Sequence, residues 1–301
     1  MCIRDRRYKG VTYGLPILGG VTVLYYNKAI LDKCNVDYPT PKWNWDDFVD
    51  ACLKIKEKTK GEIEPHCMAI GGGWSDLNPT FWPYFWQAGG HFLDDEDNPT
   101  KCTLNSEAGV EALQYMYDQI YKWEIVWKRD LSITHVDGVS KIFKEGKAAF
   151  MVIEPMRELI IAENPEVYDN IGVEVLPSGR RGDKYAFGAF DYLSISSISK
   201  IKDVAWEYLK FFGSPEKMLE VNKWAGCMPT RDDVPNPAPN NKGMSKQYGQ
   251  IEMLRKVPPV KNCALIFDRI VKNIQRALRK EVSIKEALDD AAKYADKMMF
   301  E

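Results

Sequence analysis

The sequence has no large excess of either charge. Its 301 residues include 41 lysines and arginines and 43 aspartates and glutamates, which gives a formal net charge of -2 at pH 7. The basic residues are scattered among acidic ones, so there is no basic stripe that could neutralise a nucleic-acid backbone. Nucleic acid is therefore not expected as a partner.

Long apolar runs are also missing. The longest uncharged run, residues 10–27, contains Gly14, Pro16, Gly19 and Gly20, so we expect a loop and a strand there and not a membrane span. The basic start of the chain is not followed by the apolar stretch and cleavage site of a secretory signal. On these features alone, nothing indicates export.

Signatures of metal and redox sites are absent. The 7 cysteines form no CxxC pair, and His66, His91 and His135 lie far apart in the sequence. A zinc ribbon or a thioredoxin-type centre is therefore not expected, and most cysteines are expected to be small buried side chains. No cofactor and no metal are predicted.

Motifs of common enzymes are absent as well. The chain has no P-loop, no GxGxxG, no GxSxG and no HExxH. Glu154 and Asp191 interrupt apolar or aromatic stretches and are the obvious carboxylate pair for a glycoside hydrolase. With 43 acidic residues in the chain, such pairs arise readily. We therefore expect no catalysis and keep a carbohydrate-active hydrolase as an alternative.

Strand-like and helix-like patterns alternate along the chain. Apolar, β-branched or alternating segments predict strands at 22–27, 67–70, 148–153, 171–177 and 193–197. Between them, apolar residues recur at helical spacing and capping residues mark the helix ends. Predicted helices begin after Asn44, after Asn105 or Ser106, before Val204 with an end at Gly213, at Ser214-Pro215-Glu216, near Asn262 and at Ser283. This alternation predicts an α/β fold with a mostly parallel sheet.

Aromatic residues stand out against this background, as in TFWPYFWQAGGHF (80–92). Several of the 9 tryptophans lie in segments with glycine or proline: Trp74 follows three glycines, Trp82 precedes a proline and Trp224 lies just before Gly226. A flat ring in a cleft offers apolar area to the C–H face of a sugar, but tryptophans also fill protein interiors. For the set, both interpretations stay open.

Seven segments of the chain form a pattern through their order and spacing. They are YGLPILGGVTVLYYNKAILDK (13–33), WNWDDFVDACLKI (43–55), QAGGHFLDDEDN (87–98), FKEGKAAFMV (143–152), AWEYLKFFGSPEKM (205–218), GCMPTR (226–231) and VSIKEALDDAAKY (282–294). They cover nearly the whole chain from about Tyr8. Taken together and in order, they resemble one known family, the extracellular solute-binding proteins of ABC transporters, family 1, which includes maltose-binding protein.

The resemblance implies a type II periplasmic-binding-protein fold, with two α/β lobes, hinge crossings and a ligand cleft between the lobes. Members normally have a signal peptide, often a lipid-modified cysteine, and most of a first lobe ahead of the YGLP segment. We therefore expect residues 1–16 and 188–230 to be the remnant of an incomplete N-terminal lobe, and 17–187 and 231–301 to form the C-terminal lobe. Cys2 lies in no lipid-modification context. A half-lobe exposes apolar surface, so the chain as written is expected to be poorly soluble or unable to bind.

The resemblance also implies a function. The protein would bind a mono- or oligosaccharide and deliver it to the permease subunits of an ABC importer, as a monomer in the periplasm or on the extracellular face of the membrane. It would meet the membrane only through a missing lipid anchor or through the permease. A non-sugar or acidic solute, such as a glycerol phosphoester or an acidic sugar, remains an alternative ligand.

The same resemblance suggests where the ligand would bind. Trp82 is the principal candidate, because a sugar-stacking tryptophan of the family stands at the same distance before a glycine pair. Many members have Gly-Pro-Trp where this chain has Glu154-Pro155-Met156, so Met156 would offer a softer platform. The further candidates are Trp74, Asp76, Glu154, Phe190, Asp191, Trp224 and Arg231.

Overall fold

A computed structural model of the chain describes the backbone of residues 7–8, 11–255 and 258–300, and the side chains of these residues except 7, 8, 74 and 75. The described strands are β1 (Arg7–Tyr8), β2 (Val11–Thr12), β3 (Leu15–Val21), β4 (Val23–Asn27), β5 (Glu64–Cys67), β6 (Ala148–Ile153), β7 (Ile171–Glu174), β8 (Ala186–Leu193) and β9 (Leu254–Arg255).

The described α-helices lie between the strands and after the last strand in the sequence. They are α1 (Lys28–Cys34), α2 (Trp45–Lys58), α3 (Phe81–Gln87), α4 (Glu107–Tyr121), α5 (Val136–Lys144), α6 (Glu158–Ile161), α7 (Pro165–Asp169), α8 (Lys202–Phe212), α9 (Pro215–Ala225), α10 (Lys242–Gly249), α11 (Cys263–Leu278) and α12 (Ile284–Phe300). Short 3-10 turns occur at Trp74–Leu77, Lys128–Ser132, Pro155–Arg157 and Ile251–Met253. The capping signals read from the sequence are confirmed at Asn44, Ser214 and Ser283, whose side chains accept hydrogen bonds from backbone amides of the following helix.

The strands form two main sheets. The larger has the order β5-β6-β4-β7 and the smaller the order β3-β8-β9, while β1 and β2 pair with each other. Only the pairs β5–β6 and β8–β9 are parallel among the described strands. The prediction of a mostly parallel sheet is therefore wrong. The reason is that β4 enters the larger sheet directly from β3, without a helical crossover, and runs against both β6 and β7.

The residue between β3 and β4 is Thr22, which is fully buried where the two sheets meet. Its amide donates to the Phe187 carbonyl at 2.9 Å. The Gln250 side-chain amide donates to the Thr22 carbonyl at 2.8 Å, and Gln247 Oε1 accepts from the Val21 amide at 3.1 Å. Side chains from α10 and the turn after it therefore satisfy the backbone of this crossing.

The main hydrophobic core lies on one side of the larger sheet, under α2, α3, α4, α11 and α12. Trp45 stacks on Tyr115 with ring centroids 4.3 Å apart, and its indole nitrogen donates to Gln87 at 2.7 Å. Phe81, Phe85 and Trp86 face inward from α3, as expected from the sequence. Gly89, with φ of +84°, then turns the chain away in a conformation that suits glycine. Five cysteines in the described part are buried and Cys263 is exposed.

Two predicted strands do not form as expected. Of the segment 67–70 only Cys67 lies in a strand, at the end of β5. Of the alternating segment 193–197 only Leu193 lies in β8, and Ile198 just after the segment is 87% exposed. Alternation alone does not make a strand where no neighbour supplies backbone hydrogen bonds. Among the described residues, no helix is both long enough and apolar enough to cross a membrane.

Helix α8, beside the smaller sheet, leaves most of its apolar residues in solvent. Only Leu209 of its 11 residues is buried. Val204, Tyr208 and Phe211, which follow one another at helical spacing, are 63%, 56% and 50% exposed, and Trp206 is 52% exposed. This face of α8 is therefore an apolar surface without a described partner.

Candidate ligand-binding site

The segment that follows β6 lies where the two sheets meet. Glu154 is partly buried and lies beside β3. A Cβ built on Gly20 of that strand would lie 3.4 Å from the Glu154 Cβ. The 3-10 turn Pro155–Arg157 then carries the chain past Met156 into α6. The larger sheet thus presents residues 154–157 towards the smaller one.

The opposing side is formed by the end of α9. Gly226 caps this helix with φ of +65°, and a Cβ at that position would lie 3.5 Å from Met156 Cα. A left-handed backbone in close contact with a neighbouring chain favours glycine here. Trp224, two residues earlier, is 84% exposed.

Charged groups gather around Glu154. Burial raises the pKa of Glu154, and the positive charge of Arg157 and the ring of His135 oppose that shift. Burial likewise raises the pKa of Cys227 to about 11, and the carboxylates of Asp191 and Glu154 add to the effect. Asp191, on β8, and Glu154 therefore both lie close enough to Cys227 to act on its thiol.

The cation of this group is already paired. Arg157 Nε lies 2.7 Å from Asp137 Oδ1. The Asp137 amide donates to His135 Nδ1 at 3.2 Å, and Asp137 Oδ2 lies 3.2 Å from the same ring nitrogen. Asp137 therefore balances Arg157 and leaves the charge of Glu154 without a dedicated partner.

Asp76 is a buried carboxylate on the loop that follows the three glycines. Its side chain is 1% exposed, and neither carboxylate oxygen has a hydrogen-bond partner of normal geometry in the described structure. Burial raises the pKa of Asp76, opposed by the Gly72 amide and by His135. His135 acts on both Asp76 and Glu154, so it connects the glycine loop to the junction of the sheets. The side chain of Trp74 lies outside the described residues.

Trp82 does not occupy the position expected from the sequence. It is 4% exposed and packs in the core, with ring centroids 5.5 Å from Phe81, 6.0 Å from Trp86 and 5.9 Å from Phe267. The expectation that this ring faces the cleft is wrong for this structure. The reason is that every residue of α3 is buried, so the helix has no free face on which to display a side chain.

Two other candidates have internal partners. Arg231 makes a two-pronged ion pair with Asp233, at 2.8 and 2.6 Å, and also donates to the Gly213 carbonyl at 3.2 Å. Its donors therefore hold the loop to the end of α8, which does not support the expected role in binding a ligand. The Phe190 ring lies against Gly19, where a Cβ would come within 2.2 Å of it. It packs partly in the small core of the β3-β8-β9 sheet.

The structure thus brings Met156 against Gly226, two residues after the exposed Trp224, and Glu154 against Gly20. Asp191 is linked to Glu154 through their common effect on Cys227, and Asp76 through the common effect of His135. Sequence reasoning missed His135, Arg157 and Cys227. Arg157 directly follows Met156 and could have been found by extending that segment by one residue. His135 and Cys227 had no local signal, because their positions depend on contacts between distant segments.

Residues 3–219 match the family model for bacterial extracellular solute-binding proteins. The chain belongs to this family. It is 27% identical over 221 residues to an arabinooligosaccharide-binding protein of Halalkalibacterium halodurans, a match that covers 67% of this chain and 47% of that protein. The chain spans about half the length of the curated relatives it matches.

Solved structures agree on the fold. The maltose-bound MalE3 of T. maritima is 25% identical with a TM-score of 0.84, over 97% of this chain and 74% of that chain. A solute-binding protein of Thermotoga lettingae with bound α-D-tagatose is also 25% identical, with a TM-score of 0.84 over 99% and 75% of the two chains. The protein has the type II periplasmic-binding-protein fold.

Proposed function

We propose that the protein is the substrate-binding component of an ABC importer, which holds a mono- or oligosaccharide between two lobes and delivers it to membrane permease subunits. The observation that carries this proposal is the close approach of Glu154 and Met156, which follow β6 of the larger sheet, to Gly20 on β3 of the smaller sheet and to Gly226 at the end of α9. Relatives named for binding arabinooligosaccharide and maltose support a sugar as ligand.

The site suits binding better than chemistry. Carboxylates such as Glu154 and Asp191 accept hydrogen bonds from sugar hydroxyls, and Trp224 and Met156 offer apolar surface to the sugar ring. Contacts made from both sides stabilise a closed arrangement, and closure can be no stronger than the ligand's difference in affinity between the two states. We infer that no bond of the sugar is broken.

An acidic solute is a weaker second candidate. The cations in or near the site are matched by Asp137 and Asp233, whereas Glu154 and Asp76 have no matching cation in the described structure. A phosphoester or carboxylate would bring its negative charge close to the carboxylates of Glu154 and Asp76 in a partly desolvated site, which costs free energy. The charge balance therefore favours a neutral or positively charged ligand.

The domain division expected from the sequence is also a proposal. We assign residues 1–16 and 188–230 to one lobe, and 17–187 and 231–301 to the other. The exposed apolar face of α8 supports an incomplete first lobe, since Val204, Tyr208 and Phe211 are the residues that further polypeptide would cover. We expect the 301-residue chain to bind a hydrophobic dye such as ANS, and the full-length protein to bind much less.

The setting follows from the proposed role. An importer component of this family acts outside the cytoplasmic membrane, as a monomer that docks on its permease. Co-purification of the full-length protein with permease subunits encoded beside its gene tests the partnership. Gel filtration with light scattering tests the monomer, and a stable dimer would contradict it.

Calorimetric titration of the full-length protein with mono- and oligosaccharides tests the function. We expect binding of at least one sugar, a higher melting temperature in its presence, and unchanged sugar after long incubation. Binding of glycerol phosphoesters alone would support the acidic-solute alternative. Release of shorter products would support the hydrolase and would overturn the proposal.

A further inference from the structure

One side chain of α11 holds the glycine loop, residues 71–73. The Gln275 side-chain amide donates to the Ile70 carbonyl at 2.8 Å and to the Gly72 carbonyl at 2.8 Å. Gln275 is buried, so these carbonyls would lose their donor in a largely desolvated place if the amide were removed, which is costly. Both protons of one amide group are thus used to fix a loop that lies 203 positions earlier in the sequence.

The first two glycines of the loop are packed tightly on its other side. The Gly71 amide donates to the Ile133 carbonyl at 2.7 Å. A Cβ on Gly71 would lie 2.8 Å from the Leu131 carbonyl oxygen, and a Cβ on Gly72 would lie 2.1 Å from the Thr134 carbonyl oxygen. Close packing therefore accounts for glycine at both positions.

The third glycine, Gly73, is not explained by packing. It is exposed, and its φ lies outside the left-handed range. Apart from its neighbours in the chain, no described atom lies within 4 Å of the place where its Cβ would be. An alanine would therefore fit the loop, and it would lose less conformational entropy on folding than glycine does. The bare backbone of Gly73 faces space that the described part of the protein does not fill.

We propose that the glycine loop is a ligand-binding surface, that the ligand lies against the backbone of Gly73, and that Gln275 positions this surface. The inference rests on the proposed function and adds two residues to the candidate site. Gln275 acts through the loop and does not touch the ligand itself.

The loop adjoins groups already assigned to the site. The Asp76 amide donates to the Gly73 carbonyl at 3.1 Å. Thr134, which packs against the loop, directly precedes His135 in the chain. Burial raises the pKa of both Asp76 and Glu154, and His135 opposes the shift at each of them. The loop is thus linked through His135 to the part of the site that contains Glu154.

The position of the loop matters because a run of glycines has many accessible conformations. Without tertiary contacts, such a backbone would have to be ordered when the ligand binds, and this ordering would reduce the affinity. The two bonds from Gln275 order the loop beforehand. Loss of these donors should therefore weaken binding even in a protein that keeps its fold.

The ligand contact at Gly73 is tested by calorimetric titration of the full-length protein with maltose and with arabinotriose. Gly73→Ala should weaken binding of the sugar that the parent binds by at least tenfold, while the melting temperature stays unchanged or rises slightly. Gly249→Ala is the matched control, since Gly249 is exposed and likewise has no described atom within 4 Å of its Cβ position. It should leave the affinity unchanged.

The outcomes of this titration separate the inference from the proposed function. Equal affinity of the parent and Gly73→Ala for the same sugar would overturn the contact at Gly73 and leave the proposed function intact. Binding of neither sugar by the parent would count against both.

The role of Gln275 is tested with two substitutions that differ in donors. Gln275→Met removes both donors at similar volume and should weaken binding by at least tenfold, whereas Gln275→Lys keeps donors and should restore most of the affinity. The control is Gln119→Met, at a buried glutamine of α4 that contacts His66 at 2.9 Å. It should lower the melting temperature and leave the affinity unchanged.

Equal loss of affinity in Gln275→Met and Gln119→Met, without restoration by lysine, would reduce Gln275 to a purely structural role and overturn its assignment. If Gln275→Met fails to fold, Gly73→Ala still tests whether the glycine loop contacts the ligand.

Discussion

The hydroxyl of Tyr25 donates a hydrogen bond to Glu158, 2.9 Å away, beneath the segment that carries Glu154 and Met156. The same carboxylate accepts from the Tyr168 hydroxyl and from the amides of Lys242 and Gly243, each at 2.8 Å. Burial and the nearby carboxylate raise the pKa of Tyr25 well above its usual value, so it stays a donor. Glu158 thus fixes the start of α6 to β4 and α10.

Glu158→Gln should be strongly destabilising. The substitution replaces an acceptor oxygen with an NH2 group that faces donors already in place, and we expect the free energy of unfolding to fall by about 2–4 kcal/mol. Tyr25→Phe removes a single hydrogen bond and serves as the comparison, with an expected loss of about 1 kcal/mol. Urea unfolding measures both, and a Gln variant as stable as the parent would show that this network is not needed.

Trp82 and Trp224 should respond in opposite ways to alanine. Trp82 lies in the core, so Trp82→Ala is expected to cost about 3–5 kcal/mol of stability. Trp224 is 84% exposed, so Trp224→Ala should change stability by less than about 0.5 kcal/mol while weakening sugar binding. Thermal unfolding and calorimetric titration separate the two effects. Loss of stability on changing Trp224, with binding unchanged, would contradict its place in the site.

Glu64 and Asp130 should make the protein less stable as the pH rises. Both are fully buried and share Arg129, and burial together with the neighbouring carboxylate raises the pKa of Glu64. The folded state therefore holds a proton that the unfolded chain releases. The resulting stabilisation is complete below the ordinary pKa of glutamate and is lost as the pH rises through the raised value.

The measurement is urea unfolding at several values between about pH 6.5 and pH 9. We expect the free energy of unfolding to fall over this range by on the order of 1–2 kcal/mol. Glu64→Gln, which mimics the protonated acid, should flatten the profile, and Glu62→Gln, at an exposed position, should not. Burial lowers the pKa of His66 to about 4, so His66 is neutral throughout this range. Identical profiles for the parent and Glu64→Gln would refute the assignment.

Gln250 should matter for the crossing between the sheets. It donates to the Thr22 carbonyl and accepts from the Leu176 amide at 3.3 Å. Gln250→Leu leaves both backbone groups buried without these partners, and we expect a loss of about 1–3 kcal/mol. The exposed Gln114, changed to Leu, is the control. Urea unfolding should show a lower free energy of unfolding for Gln250→Leu than for the control. Equal stability of the two variants would argue against a stabilising role of Gln250 at the crossing.

Local patterns in the sequence were enough to predict many elements. The strand at 148–153 and the helix after Asn44 formed as expected, because apolar periodicity and capping act within a few residues. The direction of β4 could not be predicted, since it depends on entry from a second sheet. The position of Trp82 was predicted wrongly for a related reason. Its ring packs against Phe92, which follows the turn at Gly89, and against Phe267, which is distant in the sequence. The pairing of Arg231 with Asp233 needed the loop conformation, which spacing alone does not give.

The single residue between β3 and β4 limits how the two sheets can rotate against each other. With Thr22 alone between the strands, a change in their relative angle at this crossing is concentrated in very few backbone torsions. The hydrogen bonds from Thr22 to Phe187 and from Gln250 to Thr22 resist twisting about those torsions. The two sheets would therefore rotate at this crossing about a defined axis. A ligand held between them would then contact the same surfaces each time the sheets close on it.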